Sequence, residues 1–375
     1  MNYYILPKNN HKFIFSPQIH EDELKIYTTY SLLKCYDKIM EQVDITPSFF
    51  QLANPYEYIF SSIPETNMVI SKLTATNCIF YDLHEIFTFL NFFEPFATSI
   101  NALYISKNLP DILYCHNLFR EDKNDTIISS KSIDDNVTDV KVYSFDFIFY
   151  EFINDDINGT NVTNVTNSIN ATNINQYTIQ LLQFLRIILL TQKNNGNCII
   201  KIDHLFYKPI IDIIYIFCSL YEKVSIFKPT TNNITNFEKY IVCSKFILND
   251  EKKAEYNDYI INIDLFLNSI NNSNNISSIL SSEIPCYFLN KIDDINIIFG
   301  QQQLETIDQL VNIFKNKNKD DKLELLKKAN IQKSINWCEK YKIPHNKIID
   351  KPNIFLPLKK NNEKIMDEEV ETLNN

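Results

Sequence analysis

An α/β fold is predicted for this 375-residue chain: a mainly parallel sheet with helices on both faces, an antiparallel last strand and helical extensions at both ends. Three observations predict it. A 45% hydrophobic composition at this length supplies one large core. From Tyr177 to Phe246, short apolar runs of strand length alternate with runs of helical length, the pattern of crossover units. The last two strand-like runs are joined by a loop, Lys228 to Phe237, too tight for another crossover helix, so the final strand must pair antiparallel.

Residues 1–70 read as a helical N-terminal extension, in which Asp22 to Met40 places Leu24, Ile26, Tyr27, Leu32, Leu33 and Tyr36 at helical spacing. The sheet domain is expected over 71–250. It opens with two strands, Cys78 to Asp82 and Ala102 to Ser106, around an apolar helix. Asn154 to Gln176 is Asn-rich and of low complexity, and is expected to form a loop or disordered insertion. Its N-x-T sequons are by-products of that composition. A helix (Tyr177 to Thr191), a turn at Asn194-Asn195-Gly196 and a strand (Asn197 to Ile202) follow. Next come a helix from Leu205 to Tyr221 and strands Lys223 to Phe227 and Lys239 to Phe246. The region 251–358 is expected to be mainly helical, with helices around Gln303 to Phe314 and Leu323 to Tyr341. The charged tail 359–375 lacks core formers and is expected to be solvated.

Composition restricts the function classes. A net charge of −10 disfavours a stand-alone nucleic-acid binder, because cationic neutralisation of phosphate supplies most non-specific affinity. The eight cysteines sit singly in apolar surroundings, without C-x-x-C pairs or histidines at ligand spacing, so reduced core thiols are expected and a metal site is not. The longest apolar stretch, Ile210 to Tyr221, contains Asp212 and is too short to span a membrane. The opening MNYYILPKNN lacks a basic-then-apolar pattern, so a cytoplasmic setting is expected, in a host cell or virion if the source is viral.

The segment KPTTNNITNFEKYIVCSKF (228–246), following NCIIKI with a helix between, resembles the C-terminal half of FtsJ-like, Adrift-type cap-specific mRNA 2′-O-methyltransferases. Lys228, Pro229, Glu238, Tyr240, Val242 and Cys243 stand at the family's spacing, with Asn232 and Phe237 in place of two serines. The resemblance implies a Rossmann-like methyltransferase sheet and a Lys-Asp-Lys-Glu catalytic set. Lys201 matches the second lysine, Glu238 the glutamate, Asp146 in VYSFDFIF the aspartate and Lys34 in YSLLKCYDKI the first lysine. A ribose hydroxyl must lose its proton as it attacks the methyl of a sulfonium donor. A lysine serves as base only when burial or a neighbouring cation lowers its pKa. Lys201 is the expected base, Lys34 the cation beside it, and Asp146 and Glu238 its positioning groups.

At the donor site the family pattern breaks. Members carry an acidic, glycine-bearing turn after the first strand. The matching stretch here is DLHEIFTFLNFF (82–93), where Glu85 takes the acidic place and Ile86, Phe87 and Thr88 the others. No glycine precedes Gly159, and bulky or β-branched residues do not adopt the backbone angles such a turn requires. QQQLETIDQLVNIF (301–314) and KSINWCEKYKIP (333–344) resemble the helical region beyond the family's catalytic domain, and Trp337 reads as a core anchor. Residues 198–224 also look like the small, non-catalytic subunit of the poxvirus mRNA capping enzyme, which points to a large DNA virus as source. Two readings follow. One is an active cap methyltransferase using S-adenosylmethionine on capped mRNA. The other is a pseudoenzyme without donor, acting as a stimulatory or scaffold subunit on a capping-enzyme partner.

Overall fold

Along the central strands successive side chains alternate between two apolar layers. Leu103, Ile105, Ile148, Tyr150, Cys198, Ile200 and Ile202 enter one, and Ala102, Tyr104, Phe147, Phe149 and Ile199 enter the other. Strands buried on both faces need helices on both sides, as parallel sheets do. The computed structural model describes residues 2–9, 12–20, 26–40, 51–64, 66–133, 142–152, 171–270, 275–315 and 319–346.

Its elements in order are β1 (Asn2–Ile5), β2 (Phe15–His20), α1 (Tyr30–Met40), α2 (Cys78–Leu90), β3 (Asn101–Ile105), α3 (Leu109–Arg120), β4 (Thr126–Ser130) and β5 (Phe145–Glu151). They continue with α4 (Ala171–Thr191), β6 (Gln192–Ile202), α5 (Lys208–Leu220), β7 (Tyr221–Lys228), β8 (Lys239–Phe246), α6 (Asp250–Ser269), β9 (Asn275–Leu280), α7 (Cys286–Lys315) and α8 (Lys319–Lys340). Among the described residues the main sheet has seven strands in the order β1-β7-β8-β6-β5-β3-β4. The pairs β3–β4, β3–β5 and β5–β6 are parallel, and β8 lies antiparallel between β6 and β7. This is a Rossmann-like α/β arrangement with the expected antiparallel last strand. Residues of α4 and α5 pack on one face, and α2, α3 and the end of α8 on the other.

Four local expectations are corrected. Cys78 to Asp82 is not a strand but the start of α2. A short apolar run does not by itself distinguish strand from helix; here the helix continues past Asp82, and every residue from Ile79 to Phe87 is buried, with Asp82, His84 and Glu85 among them. Asn77 caps the helix by accepting from the Ile79 N–H, and Asn91 ends it in the left-handed region at φ 47°. The N-terminal region is not purely helical, since β1 adds to the edge of the main sheet along β7 and β2 pairs with β9. The Asn194-Asn195-Gly196 turn is absorbed into β6 as an irregularity opposite Phe145 and Phe147, with Asn195 at φ 62°. Ala171 to Gln176, expected in the loop, opens α4 instead. The rest of the Asn-rich tract, 154–170, and the tail 359–375 lie outside the described residues.

The β2–β9 ribbon is tied to the main body by a buried charge. Asp212 on α5, fully buried, accepts from Lys208 Nζ at 2.8 Å and from the backbone N–H groups of Ile279 and Leu280 at 2.8 and 3.3 Å. Asp212→Asn removes the charge and leaves part of this set unmet, so urea denaturation should show a loss of roughly 2 kcal/mol. An unchanged midpoint would mean that the ribbon is held by its apolar contacts alone.

Candidate functional site

Parallel strands bring their C-terminal ends to one edge, and ligands in such sheets bind where successive crossovers leave in opposite directions. Here the chain steps outward from β3 through α3 to β4, then inward from β5 through α4 to β6, so the switch point lies between β3 and β5. With Cys78–Asp82 helical, β3 is the first parallel strand and the turn after it is Ser106-Lys107-Asn108, which also lacks glycine.

The polar groups at this edge converge on one lysine. Lys201, near the end of β6, stands in register with Glu151 at the end of β5 and with Tyr240 of β8. Its Nζ lies 3.0 Å from Glu151 Oε1 and 3.4 Å from Glu238 Oε2. Burial works to lower the pKa of the Lys201 ammonium, but Glu238 and then Glu151 outweigh it and hold it well above the usual lysine range. Burial pushes the Glu238 carboxyl up, and Lys201 and Lys228 outweigh that in turn and keep it below its ordinary value. The centre is an acid–lysine–acid array with the lysine protonated at neutral pH.

Two of the four expected catalytic positions, Lys201 and Glu238, meet at this centre, and two do not. Asp146 is the second residue of β5, at the opposite end of the strand, where it accepts from Lys193 Nζ at 2.7 Å and from the Asn101 N–H at 3.0 Å. Glu151, five residues on, is the carboxylate that reaches Lys201. Lys34 is exposed on α1, and the cation whose charge acts on Lys201 and Glu238 is Lys228. Burial lowers Lys228 to about 8 against the pull of Glu238 and Asp82. Lys239, also buried, is lowered to about 7 by burial and by Lys228. Two sequence signals pointed to these residues: an acid terminating the apolar run FDFIFYE, and the Lys of the Lys-Pro pair.

Glu85 does not lie on a donor-binding turn. It is buried on α2, where Oε2 accepts from the Thr230 N–H at 3.0 Å, Thr230 Oγ1 at 2.7 Å and Trp337 Nε1 at 3.2 Å. One turn earlier, Asp82 accepts from Thr231 Oγ1 (2.6 Å), Asn232 Nδ2 (2.9 Å) and Tyr240 OH (2.9 Å). Positions three apart share a helix face, so both acids point at the β7–β8 loop and latch it to α2. Trp337 is a core anchor, 3% exposed with its ring 4.5 Å from that of Tyr341.

At the switch point Glu151 Oε2 accepts from Ser106 Oγ and from Asn108 Nδ2 at 3.0 Å, and Asn108 Oδ1 accepts from Asn77 Nδ2 at 3.1 Å. The crevice is thus bridged by the protein's own side chains. Among the described residues no helix is long and apolar enough to cross a membrane, and no group of three or more His, Cys, Asp or Glu could hold a metal ion. No protein-family model and no curated protein matches this chain.

Proposed function

We propose that this protein is a non-catalytic relative of the cap 2′-O-methyltransferases, serving as a stimulatory or scaffold subunit of an mRNA-capping or RNA-processing assembly. The observation that carries the reading is the bridged crevice between β3 and β5. Where a sheet of this kind receives its nucleotide-like ligand, Ser106 and Asn108 close on Glu151 and the turn has no glycine to let a ligand approach the backbone. Two further facts support it. Lys201 is held as an ammonium, which cannot accept the proton of a ribose hydroxyl. The net charge of −10 suits a protein partner better than an RNA backbone.

A calorimetric titration of the folded protein with S-adenosylmethionine tests this. No binding is expected up to about 1 mM, the upper end of ordinary substrate affinities. Micromolar binding would overturn the proposal and favour the second reading, an active methyltransferase on capped mRNA. That reading draws on the grouping of Glu151, Lys201 and Glu238 at the C-terminal edge. It requires Lys201→Ala to abolish methyl transfer while leaving donor affinity intact.

A further inference from the structure

The last strand of an open sheet turns a row of backbone N–H and C=O groups outward, and proteins keep such edges from pairing with prolines, charges, bulges or a cover. Among the described residues the main sheet ends in β1 on one side and β4 on the other. At β1 the Leu6 N–H donates to Val224 O, so the alternate residues Tyr3, Ile5 and Pro7 turn their backbone groups outward. Pro7 has no N–H to offer and Lys8 follows it, so that edge is blunted. The β4 edge carries no such device among the described residues. Thr126-Ile127-Ile128-Ser129-Ser130 has no proline and no charge, and it keeps unbroken register with Asn101 to Ile105 of β3. The Thr126 N–H donates to Ile100 O and Ser130 O accepts from the Ser106 N–H. Thr126, Ile128 and Ser130 therefore turn their backbone groups to β3, and Ile127 and Ser129 turn theirs outward. Ile128 leaves a large apolar side chain 37% exposed on this open edge.

We propose that β4 pairs antiparallel with β4 of a second copy of this chain, about a two-fold axis at Ile128, so that the two sheets run on as one. The strand is uncharged throughout, with Asp125 before it and Lys131 after it, and such a segment is complementary to itself when reversed. Outward-turned residues must face one another in an antiparallel ladder, which leaves three registers near the middle of the strand. One sets Ile127 opposite itself and brings Lys123 opposite Lys131, both exposed cations. Another sets Ser129 opposite itself and moves Thr126 opposite Ser132, beyond the strand. The third sets Ile127 opposite Ser129 of the second copy and Ile128 opposite its own counterpart. Only there do all five residues of both strands overlap, and there Lys131 faces Asp125 rather than another cation. Asp125 is already bound by Arg120 at 2.7 Å, so the gain at that flank is avoided repulsion rather than a new buried pair. The net charge of −10 opposes the approach of two copies, but physiological salt screens it beyond about 8 Å. Because β4 lies beyond β3 from the β3–β5 crevice, the pairing leaves that crevice untouched and holds under either functional reading.

Sedimentation velocity of the full chain from about 1 µM to about 1 mM tests the proposal, since interfaces of this small size are weak. A concentration-dependent dimer is expected. Ser129→Pro removes an outward N–H and leaves the β3 ladder whole, so it should weaken the dimer roughly tenfold, the scale of one lost hydrogen bond, with the thermal melt little changed. Lys131→Glu, which sets an acid opposite Asp125, should also weaken it and serves alone if Ser129→Pro fails to fold. The register is read by Ile128→Cys in a chain whose exposed Cys35 and Cys286 are replaced by Ser. Opposed residues of a non-hydrogen-bonded pair stand about 4.5 Å apart at Cα, so oxidised glutathione should link two copies through Cys at 128. A chain that stays monomeric throughout would overturn the proposal and leave this edge to a strand of another protein. A dimer unaffected by both variants, or one that Ile128→Cys does not cross-link, would overturn it as well.

Discussion

Lys201→Met should lower the unfolding free energy at pH 7 by roughly 3–5 kcal/mol, the usual consequence of removing one partner from a buried ion pair. Glu151 and Glu238 are 10% and 26% exposed at the side chain, so neither carboxylate recovers full hydration when the ammonium is removed. Lys228 remains near Glu238, but its donors are committed to the loop. The pH dependence separates this from simple loss of packing. In the wild type the Glu238 pKa is depressed, so its contribution is complete above the unfolded value of 4.5 and is lost as pH falls through the folded value. The raised Lys201 pKa contributes stability that is complete below the unfolded value of 10.5 and lost only as pH rises through the higher folded value. The gap between wild type and variant should therefore be widest near neutral pH and narrow as acid protonates the stranded carboxylates. Urea denaturation at several pH values measures it. A gap that stays constant with pH would mean that Lys201 acts through its hydrocarbon stem.

Asp82→Ala should be comparably damaging, on the order of 3–4 kcal/mol, because it leaves Thr231 Oγ1, Asn232 Nδ2 and Tyr240 OH as buried donors without their acceptor. Asp82→Asn separates charge from shape. Burial raises the Asp82 carboxyl to about 6, against the hydrogen bonds from Thr231 and Asn232 and the charge of Lys201. For a raised acid the protonated form is favoured in the folded state. The stability this contributes is complete below the unfolded value of 3.8 and is lost as pH rises through about 6. Asp82→Asn should therefore flatten the stability profile between pH 4 and 6, besides lowering stability by misaligning one donor. A wild-type profile with no decline across that window, or a variant that still shows it, would remove Asp82 as the cause.

Both residues lay within stretches that sequence patterning had flagged, yet patterning placed only one of them correctly. Lys201 sits in an apolar strand run at a spacing set by the resemblance, and the bounds expected for β8, Lys239–Phe246, are those observed. Asp82 was read as a strand terminus because CIFYD suits either periodicity. What decides for helix is that all nine residues from Ile79 to Phe87 are buried at once, six of them in the apolar cluster on this face of the sheet and Asp82 and Glu85 against the polar groups of the β7–β8 loop. The resemblance assigned Asp146 at the start of β5, and Glu151 at its end went unassigned. Register with β6 sets Glu151, not Asp146, opposite Lys201.

By itself, then, the sequence determined the α/β class, the crossover from β6 to β7 and the antiparallel last strand, because each follows from local periodicity and short connections, whereas the Lys201–Glu238 pairing was an expectation of the resemblance alone. Only the tertiary structure decided which carboxylate completes the centre, that Lys228 rather than Lys34 is its neighbouring cation, and that Ser106 and Asn108 bridge the crevice. Those depend on strand register and on which side chains meet across more than forty residues of chain, from Ser106 to Glu151 and on to Lys201, and local pattern carries no information about such meetings.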